Sequence, residues 1–528
     1  MTRVVAAFVA ALALTGCSTF AYYNEPVQLR TESPAAERAT FDIRDDRGEK
    51  DVLVMLALSG GGSRAAYFSS AVMLRLQQAF PDVDLLQEVD VISSVSGGSL
   101  PAAYYAISRD PGVRLHAEPP ALVLQQPKLH YDAATRTLTL NDALTPAEIE
   151  VLQTVFTDSA DRRQFDRLVR QQDAPSNRYW DDATVKDLMS RNYISRWFAN
   201  WFWPDNIALY WFTAYDRSDI MAQTFADSLF DVDFTGRDLR FRDINPERPY
   251  LILNATNATE KVDPADPEFG SVFTFTKEDF RDRANSDIAS YLVSRGVMTS
   301  ATFPVVFNFM TLRNYNSSDD KHPRYLHLFD GGNADNLGLT SLKRIMLDRE
   351  INPPQRYRKI VVMLVDSYVR SRGIDRDQAD GRCWFCYVAD MNVSDAVDSL
   401  LEANRANLLQ DFAERMNVSK DCAKHNLPPA ICRDPNLSRQ IADVEKKLFF
   451  YHVRFEDSQL KGRLEKIATN FRITNDKEGR PNSIYIDAAV DELVNERNEC
   501  LRHIRRIVRN EETDVDRRAK RYCTWRSN

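Results

Sequence analysis

Val52-Leu53-Val54-Met55-Leu56-Ala57-Leu58 is an unbroken apolar run of strand length. It lacks the in-out alternation of a one-faced strand, so it predicts a strand buried on both faces of a parallel sheet. Ser59-Gly60-Gly61-Gly62-Ser63 interrupts it, and then Ala65, Phe68, Val72, Leu76 and Phe80 recur every three or four residues. That period predicts an amphipathic helix over about 64–80. A second unit follows the same plan. Val89-Asp90-Val91-Ile92 predicts a strand, Ser93 to Ser99 a tight turn of small residues, and Leu100 to Ser108 a helix with Pro101 in its first turn. Further strand candidates are Tyr250–Leu253, Tyr325–Phe329, Lys359–Val365 and Leu448–Val453. Residues from about 111 to 242 contain no comparable run and many charged helical stretches, which predicts a largely helical insertion. Strand, loop and helix in repetition define an α/β fold.

The N-terminus has a different pattern: Arg3 precedes the short apolar stretch Val4 to Leu14, too brief to span a bilayer as a mature helix. It ends in Leu14-Thr15-Gly16-Cys17, which resembles the bacterial lipoprotein signal. That resemblance implies a signal peptide over 1–16, a lipidated Cys17, and an exported protein held to the cell envelope, expected at the outer membrane facing the periplasm or the surface. An ordinary secretory signal is the alternative, and it too exports the chain. Polar residues 17–50 suit a tether. Removing Cys17 from the seven cysteines leaves six, Cys383, Cys386, Cys422, Cys432, Cys500 and Cys523, all in the last third. An even number in an oxidising compartment points to disulfides there. Cys383-Trp384-Phe385-Cys386 lacks the second cysteine pair or paired histidines of a zinc site, so no metal and no cofactor are expected. The formal net charge of -8 argues against nucleic acid as a partner. Protein partners are not indicated.

Three short segments carry chemistry. Ser94-Val95-Ser96-Gly97-Gly98 follows a strand and precedes a helix, which is the logic of a nucleophile elbow centred on Ser96. Gly60, Gly61 and Gly62 let backbone amides approach an oxyanion or a phosphate, but the spacing matches neither the dinucleotide nor the P-loop pattern. Asp330-Gly331-Gly332 places a carboxylate after a strand, at the edge where open α/β sheets carry their sites.

In order and context these segments, extended to Gly60–Arg64, Ser94–Ser99 and Asp330–Gly338, resemble the patatin-like phospholipases, as does Ser300-Ala301-Thr302-Phe303-Pro304-Val305-Val306-Phe307. The resemblance covers about 52–366, with a weaker echo in 470–494. It implies a patatin-like sheet with flanking helices, a largely helical insertion and a C-terminal extension. The catalytic domain would span 51–370, with the insertion at about 111–242, and a cysteine-containing region 371–528 would partly complete it. It also implies a Ser–Asp dyad without histidine: Ser96 as nucleophile, Asp330 as base, and Gly60, Gly61 and Gly62 as oxyanion hole, acting on membrane phospholipid or another acyl ester. Ser94 stands where the family usually has glycine, and Ala65 where a glycine often follows the basic residue. Arg64 is placed to steady a substrate phosphate or the loop itself, or to ion-pair at the helix start. Two other readings stay open: an α/β-hydrolase with a triad completed by His425, His452 or His503, and a non-catalytic lipid-binding lipoprotein. Four of the seven tryptophans fall between Trp197 and Trp211. Aromatic clusters more often bury, so they are expected in the core of the insertion, with contact to a membrane interface as the alternative.

Overall fold

The computed structural model describes residues 27–29, 50–176, 178–230, 237–260, 269–304, 306–316, 324–348, 356–369, 392–413, 429–467, 472–513, 516 and 522–524. Cys17 with the signal and nearly all of the tether, and Cys383, Cys386, Cys422 and His425, lie outside the described residues.

The core is a nine-stranded mixed sheet. Its strands in chain order are β1 (Val52–Leu58), β2 (Val91–Val95), β3 (Tyr250–Asn257), β4 (Val272–Phe275), β5 (Met310–Asn314), β6 (Arg324–Asp330), β7 (Lys359–Asp366), β8 (Leu448–Arg454) and β9 (Tyr522–Thr524). The spatial order is β5-β6-β3-β2-β1-β7-β8-β9, with β4 paired to β3. From β3 to β9 the pairings are parallel, and β4, β5 and β6 join antiparallel. Every residue of β1 is buried, as its unbroken apolar run requires.

The helices that matter below are α1 (Gly62–Gln78), α2 (Ser99–Ile107), α3 (Tyr193–Trp201), α4 (Pro204–Phe212) and α5 (Val293–Ser300). Thirteen residues of α1 are buried, including Ala65, Phe68, Val72 and Leu76 from the expected stripe. Burial of an aliphatic or aromatic side chain of this kind contributes roughly 1.5–3 kcal/mol.

The structure corrects three expectations. Strand β2 continues to Val95 rather than stopping at Ile92, because Ser93 and Ser94 extend it as buried but satisfied polar residues. The Ser93 hydroxyl donates to the Gly338 carbonyl at 2.7 Å and the Ser94 hydroxyl to that of Ile252 at 3.3 Å. The insertion, helical for much of its length, also holds a three-stranded antiparallel sheet, Val113–Arg114, Leu129–Asp132 and Thr137–Leu140. These strands are short and one-faced, and Leu129 and Leu138 enter a small separate core with Val123, Phe165 and Leu168. The third correction concerns the tryptophans: Trp197 is buried, but Trp203 and Trp211 are exposed.

The chain returns to the sheet after residue 371. Strands β8 and β9 extend the parallel side, and a disulfide between Cys500 and Cys523, with Cα atoms 5.9 Å apart, ties helix Glu499–Val508 to β9. Cys432 is disulfide-bonded as well. Among the described residues no helix is long and apolar enough to cross a membrane.

Candidate active site

Two strand ends converge on β3. Val95, the last residue of β2, pairs with Asn254, and Asp330, the last residue of β6, pairs with the next residue, Ala255. The register therefore brings together groups 234 residues apart in the chain: Ser96 Oγ donates to Asp330 Oδ2 at 2.8 Å.

Ser96 has φ 50°, in the left-handed region that costs a residue with a side chain. The conformation is held from below by Ser300, at the end of α5, whose hydroxyl accepts the Ser96 N–H at 3.0 Å and donates to the Asn254 carbonyl at 2.6 Å. Ser99 Oγ joins Ser300 Oγ at 2.9 Å and donates to Ser94 Oγ at 3.2 Å. Ser94 is thus a member of a hydrogen-bonded serine network, which accounts physically for a hydroxyl where the family usually has glycine. Asn254 completes the floor, its amide donating to Ser93 Oγ at 2.9 Å and to the Ser94 carbonyl at 2.8 Å. Sequence reasoning missed Asn254 and the support role of Ser300. The available signal was a polar residue continuing an apolar strand run, where burial demands a partner.

Asp330 is buried, and its other oxygen accepts the Gly332 N–H at 2.8 Å. Burial pushes its pKa up to about 6, and the hydrogen bonds from Gly332 and Ser96 oppose the rise only in part. Among the described residues no cation offsets the desolvation, so this carboxylate is a stronger base than a surface aspartate.

The glycine loop lies against the elbow. A Cβ on Gly60 would sit 3.3 Å from Ser96 Cβ, and one on Gly97 would sit 2.0 Å from the Gly62 carbonyl oxygen. The three amides are not equivalent. The Gly60 N–H donates to the Asn336 carbonyl at 3.0 Å, which corrects the expectation that all three glycines offer donors. The Gly60 carbonyl accepts from Ser367 Oγ at 3.0 Å, so Gly60 is fastened at both ends of its backbone. Gly61 at φ 136° and Gly62 at φ 58° lead into α1, and among the described residues their N–H groups have no protein acceptor. Helix starts present such unpaired donors together with a positive dipole end.

Arg64 is directed elsewhere. Its Nη1 donates to the Ile467 carbonyl at 3.1 Å and its guanidinium lies over the Phe455 ring, so it packs α1 against the C-terminal region. Of the histidines proposed to complete a triad, His425 lies outside the described residues, and neither of the other two bonds to Ser96 or Asp330 among the described residues. His452 uses both ring nitrogens, Nε2 with Asp366 at 2.9 Å and Nδ1 with Tyr522 Oη at 3.1 Å, and His503 packs on Phe449 with centroids 4.4 Å apart. Asp366 also accepts from Arg405, and the Arg405 and His452 contacts hold its carboxyl well below the usual range despite burial. This Asp–His pair is a buried structural tie between β7, β8 and the 392–413 helix.

Residues 56–343, more than half of the chain, match the model of the family described as Patatin-like phospholipase, and the range includes Gly60–Gly62, Ser96 and Asp330. No curated protein matches. Among solved structures, human GIVD cytosolic phospholipase A2 is similar at 12% identity and TM-score 0.29, with 62% of this chain and 45% of that chain covered. VipD from Legionella pneumophila is similar at 12% identity and TM-score 0.24, with 66% of this chain and 55% of that one covered. The chain thus spans about half the length of these neighbours. With its mixed α/β sheet and the motif residues inside the matched range, the chain belongs to the patatin-like phospholipase family.

Proposed function

We propose that this protein is a lipid acyl hydrolase that cleaves carboxylic esters, membrane phospholipid foremost, through an acyl-enzyme on Ser96. The observation that carries the reading is the 2.8 Å hydrogen bond from a serine in strained left-handed backbone to a buried, uncompensated aspartate. Asp330 accepts the hydroxyl proton as Ser96 Oγ attacks the ester carbonyl, and the tetrahedral oxyanion forms against the Gly61 and Gly62 amides. The protonated Asp330 then gives its proton to the leaving alcohol, and the acyl group stays on Ser96. Water enters, loses its proton to Asp330 and releases the fatty acid, restoring both groups. One oxyanion donor is worth about 100- to 1000-fold in turnover, so the loop matters nearly as much as the base. The test is labelling of Ser96 by a fluorophosphonate in the folded protein, followed by hydrolysis assays over a panel of lipids. A folded protein that neither labels nor turns over any ester is the non-catalytic lipoprotein instead.

The base must be ionised to act. With its pKa near 6, kcat/KM on a soluble short-chain ester should be flat above about pH 7 and fall close to tenfold per pH unit below about 5.5. A profile that stays flat down to pH 4.5 removes Asp330 from the role of base.

The reading includes location: an exported chain, lipidated at Cys17 and anchored in the bacterial envelope, with the outer membrane as the site of action. Acyl chains supply roughly 0.8 kcal/mol per buried methylene, so they dominate the anchoring energy. Cys17→Ala should therefore release the protein from membranes or leave it unprocessed, lowering hydrolysis of vesicles while sparing a soluble ester. A Cys17→Ala protein that is exported, cleaved and still fully membrane-bound in fractionation refutes the anchor.

A further inference from the structure

Helices α3 and α4 and the turn between them expose six large apolar side chains: Phe198 at 48%, Phe202 at 72%, Trp203 at 63%, Ile207 at 38%, Trp211 at 74% and Phe212 at 70%. Exposed apolar side chains in such number exceed what a water-facing helix pair ordinarily shows. Between Trp197 and Tyr215 the only charged residue is Asp205, in the first turn of α4. We infer that this face is where the domain seats on a lipid bilayer, delivering acyl esters from the interface to Ser96. The inference rests on the reading of that site as a lipid acyl hydrolase.

Two observations select the bilayer as occupant. First, the helix pair packs on the segment that supports the site. The buried Trp197 ring packs on Phe307, 5.5 Å away between centroids, and Ser218 Oγ donates to the Asn308 carbonyl at 2.8 Å. Phe309, also exposed, meets Phe329, the neighbour of Asp330, with centroids 5.9 Å apart. In the same segment the Thr302 carbonyl accepts the Asp330 N–H at 3.1 Å. Ring contacts thus join α3 to the 302–309 segment, and that segment to the strand end that carries the carboxylate. Second, the chemistry of the face is interfacial. Trp203 and Trp211 put indole rings in water, and among the described residues their N–H groups have no acceptor. Headgroup and ester oxygens supply acceptors at the level where such rings settle. A second copy of the chain would need a polar rim with about ten hydrogen bonds, and this nearly chargeless face offers few groups to make them. The basic side chain of α3, Arg196, is turned to Ser228, its Nη1 donating to Ser228 Oγ at 3.1 Å, so seating depends on apolar burial and not on anionic lipid.

The test uses the full-length protein with vesicles containing brominated phosphatidylcholine. Tryptophan fluorescence should be quenched, equally with and without anionic lipid, and the combined Trp203→Phe and Trp211→Phe substitutions should remove most of that quenching even if Cys17 holds the protein to the vesicle. Phe202→Asp combined with Trp211→Asp should lower hydrolysis of vesicle phospholipid at least tenfold while leaving a soluble short-chain ester unaffected. These positions are solvent-exposed, so the fold tolerates the change. Absent quenching, quenching that requires anionic lipid, an unchanged vesicle rate, or a dimer that the aspartates dissociate would each overturn the inference. Wild-type protein that shows quenching but hydrolyses no ester would overturn the proposed function and leave the docking surface standing.

Discussion

Ser96→Ala should lower hydrolysis of a soluble ester by at least about 1000-fold, and Asp330→Asn should do nearly the same, because nucleophile and base act as a unit and either loss disables it. The two variants should differ in stability. Burial raises the Asp330 pKa to about 6, whereas in an unfolded chain it returns to about 3.9. A group raised in the folded state stabilises fully below its unfolded pKa and loses that contribution as pH rises through the folded value. At neutral pH the ionised Asp330 is therefore a burden, up to about 3 kcal/mol by the 1.36 kcal/mol that each pKa unit represents. Asp330→Asn removes the charge, so its melting temperature should exceed that of the wild type at pH 7.5, and the gain should vanish by pH 4. Ser96→Ala removes a hydrogen bond to that carboxylate and carries no such gain. Circular dichroism melts at the two pH values, beside ester kinetics, check both halves. A variant of either residue that keeps more than a tenth of the activity sinks the dyad.

Much of this site was legible in the chain because its parts are local. A strand buried on both faces needs an unbroken apolar run, and β1 and β7 have one. An elbow needs small residues between a strand and a helix, and Ser94 to Gly98 supply them. What stayed hidden depends on contacts distant in sequence. The Gly60 amide is taken by the Asn336 carbonyl and the Ser96 amide is held by Ser300, partners that no spacing rule identifies. The orientation of Arg64 is of the same kind, since Ile467 lies 403 residues further on. The insertion's strands escaped for another reason. Leu129-His130-Tyr131-Asp132 and Thr137-Leu138-Thr139-Leu140 are four-residue strands with a single buried residue each, too short for a period of two to stand out. The exposed tryptophans show the limit of base-rate reasoning, because sequence marks a cluster as aromatic without telling which rings find a core.

The backbone contact between elbow and loop explains why Gly97 admits no other residue. Its missing side chain leaves room for Gly62: a Cβ would lie 2.0 Å from the Gly62 oxygen and 2.8 Å from its nitrogen. Those atoms are backbone, fixed by the start of α1, and cannot swing aside as a side chain would. Gly97→Ala must therefore push the loop and the elbow apart, separating the Gly61 and Gly62 amides from the carbon that Ser96 attacks. Misplacement by about 1 Å is enough to cost about 100-fold, and the loss should fall on kcat, since the donors act on charge that develops only in the transition state. The rate of fluorophosphonate labelling should fall in parallel, because that reaction passes through an oxyanion at the same position. Gly462→Ala, where the added Cβ meets no atom within 4 Å, is the control and should match the wild type in both assays. If Gly97→Ala folds and keeps wild-type kcat and labelling rate, then the glycine loop does not form the oxyanion hole and the donors must come from elsewhere around Ser96.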